Sequence, residues 1–101
     1  MRLRLTPRAL ADAKRMKAWW RRHRTKVPDL FERELEESLE RVLATPTLGL
    51  AYESHGSEVG VRRMLMPKTQ NHIYYAITAE EVVVLTVWGA RKQRGPKLSK
   101  P

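Results

Sequence analysis

Cysteine is absent from the 101 residues. Neither a disulfide framework nor a cysteine metal site can be built, which suits a protein kept in a reducing, cytoplasmic compartment. No apolar run approaches the roughly 18 residues that a membrane-spanning helix needs, so no membrane is expected among the partners. The opening residues, MRLRLTPRAL, hold no apolar core of a secretory signal, and none is expected. A Gly-rich phosphate loop is missing, and Ser57 has no triad context. His23 and His55 stand without partner acids or cysteines at ligand spacing. No metal and no cofactor is therefore expected. Internal repeats are also lacking. At this length one domain with one modest core is expected.

Acidic residues are few, and their placement is uneven. Eleven Asp/Glu stand against 20 Lys/Arg, for a net charge of +9. Residues 1–26 carry ten bases against Asp12 alone, and residues 27–58 carry eight acids against Arg33 and Arg41. Residues 59–101 are basic again, with eight bases against Glu80 and Glu81. Basic ends around an acidic middle favour a polyanionic or acidic partner.

Arg2 to Leu5 alternates basic and apolar, as a short edge strand does. Thr6-Pro7 is a helix start, with Thr as N-cap and Pro at the first helical position. Ala9, Ala13, Met16 and Trp20 recur at spacings of three and four, which predicts an amphipathic helix over residues 7–24. Val27-Pro28-Asp29 starts a second helix with a stripe of Phe31, Leu35, Leu39, Val42 and Leu43. Glu32, Glu34, Glu36, Glu37 and Glu40 are expected to cover its remaining surface. A basic first helix and an acidic second one should pack antiparallel with opposite charges along the seam. Thr45-Pro46 ends the second helix, and Leu48 to Glu53 suits a short strand. Ser54 to Ser57 reads as a turn.

Three strands are then expected, over residues 59–66, 71–78 and 82–88. The last is nearly all apolar, so it should be covered on both faces. Gly95 to Pro101 reads as a basic tail that frays, leaving residues 1–94 as the domain. Alternation along the strands puts Ile73, Tyr75 and Ile77 toward the helices. His72 and Tyr74 then point to the opposite, free face. With Val61 and Leu65 taken as core, Arg62 joins them there. Arg63 shares the parity of Val61, which leaves it at the sheet rim or beside a bulge.

The stretches FERELEESLERVLATPTLG, VRRMLMPKTQNHIYYAI and VVVLTVWGAR together resemble the RelE/ParE superfamily of type II toxin–antitoxin toxins, over roughly residues 28–92. The resemblance implies an α+β fold, with an N-terminal helical hairpin on one face of a small, mostly antiparallel curved sheet. It implies a growth-inhibiting toxin, of a kind linked to plasmid stabilisation. The partner implied is a cognate acidic antitoxin, bound in a toxin–antitoxin hetero-oligomer. The target implied is DNA gyrase in one branch of the family and messenger RNA on the ribosome in the other.

Metal-independent RNA cleavage by the neighbouring 2′-hydroxyl needs a base, an acid and a stabiliser for the phosphorane. The candidates are Arg62, His72, Tyr74 and Arg91. His72 titrates near neutrality unaided, with a pKa of about 6.5. Lys68 as base would need its pKa brought down by roughly 3 from about 10.4, at a cost of about 4–5 kcal/mol. Target or phosphate contacts are expected from Arg62, Arg63, Lys68, Arg91, Lys92 and Arg94. Antitoxin contacts are expected from Trp19, Arg22, Arg62, Trp88 and Arg91. Several nucleases of the superfamily carry Tyr or His-Tyr after the last strand, whereas here that segment is RKQRGPKLSKP, without Tyr, His or acid. The reading therefore leans to a gyrase poison, with the ribosome-dependent endonuclease as the alternative. A non-toxic basic nucleic-acid-binding domain is the second alternative.

Overall fold

The computed structural model describes residues 1–52 and 60–98. Strand β1 (Arg2–Leu5) leads into helix α1 (Pro7–His23), and helix α2 (Leu30–Ala44) follows. A 3₁₀ turn at Pro46–Leu48 precedes β2 (Leu50–Tyr52), β3 (Val61–Met66), β4 (Asn71–Ile77) and β5 (Glu81–Gly89). The five strands form one sheet in the order β1-β5-β4-β3-β2. β1 runs parallel to β5, and every other pairing is antiparallel. This is the expected hairpin on a mostly antiparallel sheet. The turn expected at Ser54 to Ser57 lies outside the described residues.

Local chemistry sets the helix ends. The Thr6 hydroxyl accepts from the Ala9 amide at 3.1 Å, satisfying one of the first-turn donors. Pro7 at the first helical position removes an amide that would have lacked a partner there. The two helices carry opposite charge and meet at Glu32, whose carboxylate pairs with Lys17 and Arg21, each at 3.1 Å. Those side-chain bonds hold the Glu32 carboxyl below the usual range. The pairs are exposed, so packing contributes more than they do. Phe31, Val42, Ile73, Tyr75, Val82, Val84 and Val87 form the helix-side core, with Trp20 and Leu35 packed at its edge.

The opposite face is not bare. Val61, Tyr74, Ala76, Val83, Leu85 and Leu98 form a second apolar cluster, flanked by Tyr52 and Trp88. The chain beyond β5 turns back as a strap across this face. Trp88 Nε1 donates to the Arg94 carbonyl at 2.8 Å, and the Tyr52 hydroxyl donates to the Pro96 carbonyl at 3.3 Å. Arg8 donates to the Lys97 carbonyl at 2.6 Å. The expectation of a fraying tail fails for Pro96 and Leu98, which are buried. Residues 99–101 lie outside the described residues. Two covered faces also account for the apolar β5, which lies inside the sheet between β1 and β4.

Two helix carboxylates are buried, and for Glu34 this differs from the expected exposure. Asp12, on α1, is 8% exposed and Glu34, on α2, is 4% exposed. Glu34 accepts from the amides of Lys68 and Thr69 at 2.7 and 2.9 Å, and from the Thr69 hydroxyl at 2.7 Å. It therefore anchors the β3–β4 turn to α2 rather than covering the helix surface. Gln70, in that turn, adopts a left-handed φ of 59° and donates its side-chain amide to the Pro67 carbonyl at 2.7 Å. Glu34→Ala should lower stability by about 1–2 kcal/mol, because water can reach the freed turn amides. Urea unfolding checks this, and an unchanged midpoint would exclude the anchoring role.

Candidate functional site

The sequence-predicted residues fall into three places. The first is the sheet face away from the helices. Leu65 pairs with His72, and His72 pairs with Trp88, so these three stand in one row across β3, β4 and β5. Arg63 pairs with Tyr74 on the next row, and its guanidinium lies 5.8 Å from the Tyr52 ring centre. The His72 and Tyr74 rings meet edge to face at 5.9 Å. Burial, helped by the charge of Arg63, pushes the His72 pKa below its ordinary 6.5. Tyr74 is 1% exposed beneath the strap. Burial pushes the neighbouring Tyr52 hydroxyl up. Lys92 and Arg8 lie over the Trp88 ring at 4.2 and 5.9 Å.

Arg62 occupies the second place, which corrects the expected parity. Its guanidinium donates to the Gly49 carbonyl at 2.8 Å and the Thr47 carbonyl at 3.3 Å. It shares a row with Tyr75, a residue of the helix-side core. The Tyr75 hydroxyl completes this knot by accepting from the Gly49 amide at 2.8 Å and donating to the Pro46 carbonyl at 2.7 Å. Glycine is needed at 49 because a Cβ would lie 2.5 Å from that hydroxyl oxygen. Met64 and Met66, not Val61 and Leu65, face the helices. Both stripes of β3 are apolar, so alternation alone could select either. Arg63, rather than Arg62, therefore joins His72 and Tyr74.

The third place is an open cleft of about 690 Å³ on the helix side. It lies between the C-terminal half of α1, the β3–β4 turn and the residues after β5. Arg15, Trp19, Trp20, Arg24, Lys68, Arg91 and Lys92 line it, and among the described residues no Asp or Glu does. Arg24 lies 4.8 Å from the Trp19 ring centre, and His23 stacks on that ring at 4.7 Å. Arg22 is exposed on α1 outside this lining. Arg94 is exposed in the strap, where its carbonyl serves Trp88. Residue types alone could not show this gathering. It depends on the turn that Glu34 holds and on the chain's course after Gly89.

The structure thus separates the four catalytic candidates. His72 and Tyr74 share the free face, Arg62 is tied to loop carbonyls, and Arg91 lies in the cleft. The described residues include no group of three His, Cys, Asp or Glu suited to a metal ion. No described helix is long and apolar enough to cross a membrane. The depressed His72 pKa carries a stability consequence. Above pH about 6.5 the imidazole is neutral in both folded and unfolded chains. Below that, the unfolded chain takes up its proton first, so stability falls with falling pH. The urea midpoint should drop between pH about 7.5 and 5.5, and His72→Gln should drop less. Parallel curves for the two proteins would exclude this source of acid sensitivity.

A family model described as the ParE toxin of the type II toxin–antitoxin system, parDE, matches residues 3–94. Among solved structures, the fold resembles that of the isolated E. coli RelE toxin. The TM-score is 0.55 at 20% identity, covering 92% of this chain and 87% of that one. A search of curated proteins returns no match. The family match spans both helices, the sheet from Leu3 onward and the residues of the cleft, and with it the chain belongs to the ParE toxin family of type II toxin–antitoxin systems.

Proposed function

We propose that this type II toxin arrests growth by binding DNA gyrase, and that its cognate antitoxin neutralises it. The dispersal of the four catalytic candidates carries this reading. RNA cleavage requires those groups within hydrogen-bond reach of one phosphate. Here Arg62 is committed to the Gly49 carbonyl, and Arg91 lines the cleft, whereas His72 does not. Tyr74 is buried, and the depressed pKa leaves His72 a neutral imidazole at neutral pH, so no cationic acid stands on this face beside Arg63. The segment beyond β5 adds no Tyr, His or acid within the described residues. The likeness to RelE is one of fold at 20% identity and brings no nuclease with it. Target contacts fall to the exposed cations Lys68, Arg91, Lys92 and Arg94. Trp19, Arg22 and Trp88 are the candidates for the antitoxin.

Translation on programmed ribosomes tests the exclusion of the nuclease. Purified protein should leave the message intact, and His72→Ala should remain toxic in cells. Message cleavage lost in His72→Ala would establish the endonuclease reading instead. Expression without an antitoxin should stop growth, whereas harmless expression would favour a non-toxic nucleic-acid-binding domain.

A further inference from the structure

The strap is held as a bound peptide is held. Side chains from three elements donate to its main-chain carbonyls: Trp88 on β5 to Arg94, Tyr52 on β2 to Pro96, and Arg8 on α1 to Lys97. Gly95 leaves no room for a Cβ beside the Tyr52 hydroxyl. Leu98 fills the apolar cluster of Val61, Tyr74, Val83 and Leu85. The groove therefore reads a row of carbonyls, a glycine, and a leucine three residues further on. In peptide recognition, main-chain bonds supply affinity and side-chain pockets supply specificity. The connector to this segment is short and lightly fixed. Only Ala90 to Gln93 stand between the end of β5 and the first residue that the groove holds. The Ala90 amide donates to the Gln70 carbonyl at 2.9 Å and the Lys92 amide to the Gly89 carbonyl at 3.3 Å, while Arg91, Lys92 and Gln93 are exposed.

We propose that two copies of this chain exchange straps, so that residues 94–98 of each seat in the groove of the other. A second copy brings the same glycine, carbonyls and leucine that the groove already fits. The strap–groove bonds are all kept, which makes exchange of an identical segment a low-cost route to a dimer. What changes is the connector, which opens, and the association entropy, which concentration offsets. A tether this short holds the strap at a millimolar effective concentration for its own groove, so the monomer prevails in dilute solution. The net charge of +9 also opposes association. Salt screens that repulsion and favours the dimer, the reverse of its effect on binding to a polyanion. Exchange also reaches the cleft. Arg91 and Lys92 line it from within the connector, so opening the connector alters that wall, while Glu34 keeps the turn at Lys68 in place.

Sedimentation velocity on the full chain tests the exchange. Wild type is held at about 1 mM in urea near the start of its unfolding transition and then returned to buffer. A dimer that persists on dilution is expected, in larger amount at higher salt. Deleting Lys92 and Gln93 removes the slack that lets a strap fold back on its own copy. That deletion should lower the dimer dissociation constant at least about 10-fold. Leu98→Ala or Gly95→Ala, added to the deletion, should each weaken the dimer again by about 10-fold or more. Wild type that returns from urea wholly monomeric would overturn the proposal whether or not the deletion variant folds. So would a deletion variant that stays monomeric. A dimer that survives removal of residues 96–101, or that Leu98→Ala leaves unchanged, would place the interface elsewhere and overturn it too.

Discussion

Asp12→Ala is expected to destabilise the protein by about 3 kcal/mol. The Asp12 carboxylate joins α1 to the sheet. One oxygen accepts from the Thr86 hydroxyl and, at 3.3 Å, from the Val87 amide, while the other meets Arg15 at 3.2 Å. Thr86 and Val87 are both fully buried, so water cannot replace the lost acceptor. In this respect Asp12 differs from Glu34, whose partners sit in an accessible turn. Asp12→Asn keeps an acceptor oxygen toward Thr86 and Val87 and gives up only the exposed Arg15 pair. Its cost should stay below about 1 kcal/mol. For a domain of this size, 3 kcal/mol lowers Tm by roughly 12 °C or more. Calorimetry on the two variants checks the argument, and equal losses would mean that charge, not acceptance by a buried oxygen, is what matters.

Removal of the strap has the second large effect. Truncation after Gly95 should cost about 2–3 kcal/mol, most of it from Leu98, which is 4% exposed. The same cut uncovers Tyr74, Val83 and Leu85, now in contact with it in the second cluster. Gly95→Ala should act in the same direction, because an added Cβ would collide with the Tyr52 hydroxyl and unseat the bond to Pro96. Urea unfolding should show a lower midpoint with little change in slope. A truncated chain with the full-length midpoint would mean that the strap contributes nothing to the fold.

Both effects rest on features that pattern reading passes over. The helices, their caps and the strands were legible because periodicity and capping act locally: Thr6-Pro7 starts α1 as its chemistry requires. Asp12 and Glu34 were not, because a carboxylate on a helix is ordinarily solvated. Only a tertiary neighbour, Thr86 or the turn at Lys68, makes it a buried acceptor. The strap was missed for a similar reason. RKQRGPKLSKP holds one large apolar residue, and a single Leu98 has no period. Alternation puts Arg62 on the wrong face because β3 carries apolar residues at both parities. The covered second face, itself a product of the strap, lets Val61 turn away from the helices. The cleft cations were each visible in the sequence, but their convergence comes from three elements remote in the chain. Membership of the toxin family, by contrast, was legible, because it rests on the joint pattern of helix, turn and strand segments rather than on any one residue.

The dispersed candidates and the cation-rich surface lead to one claim, that this toxin acts by binding gyrase. A supercoiling assay with purified gyrase and relaxed plasmid tests it most directly. Added toxin should suppress the supercoiled product in a dose-dependent way, and equally so for wild type and His72→Ala. Full gyrase activity at toxin concentrations that cut ribosome-bound message would contradict it.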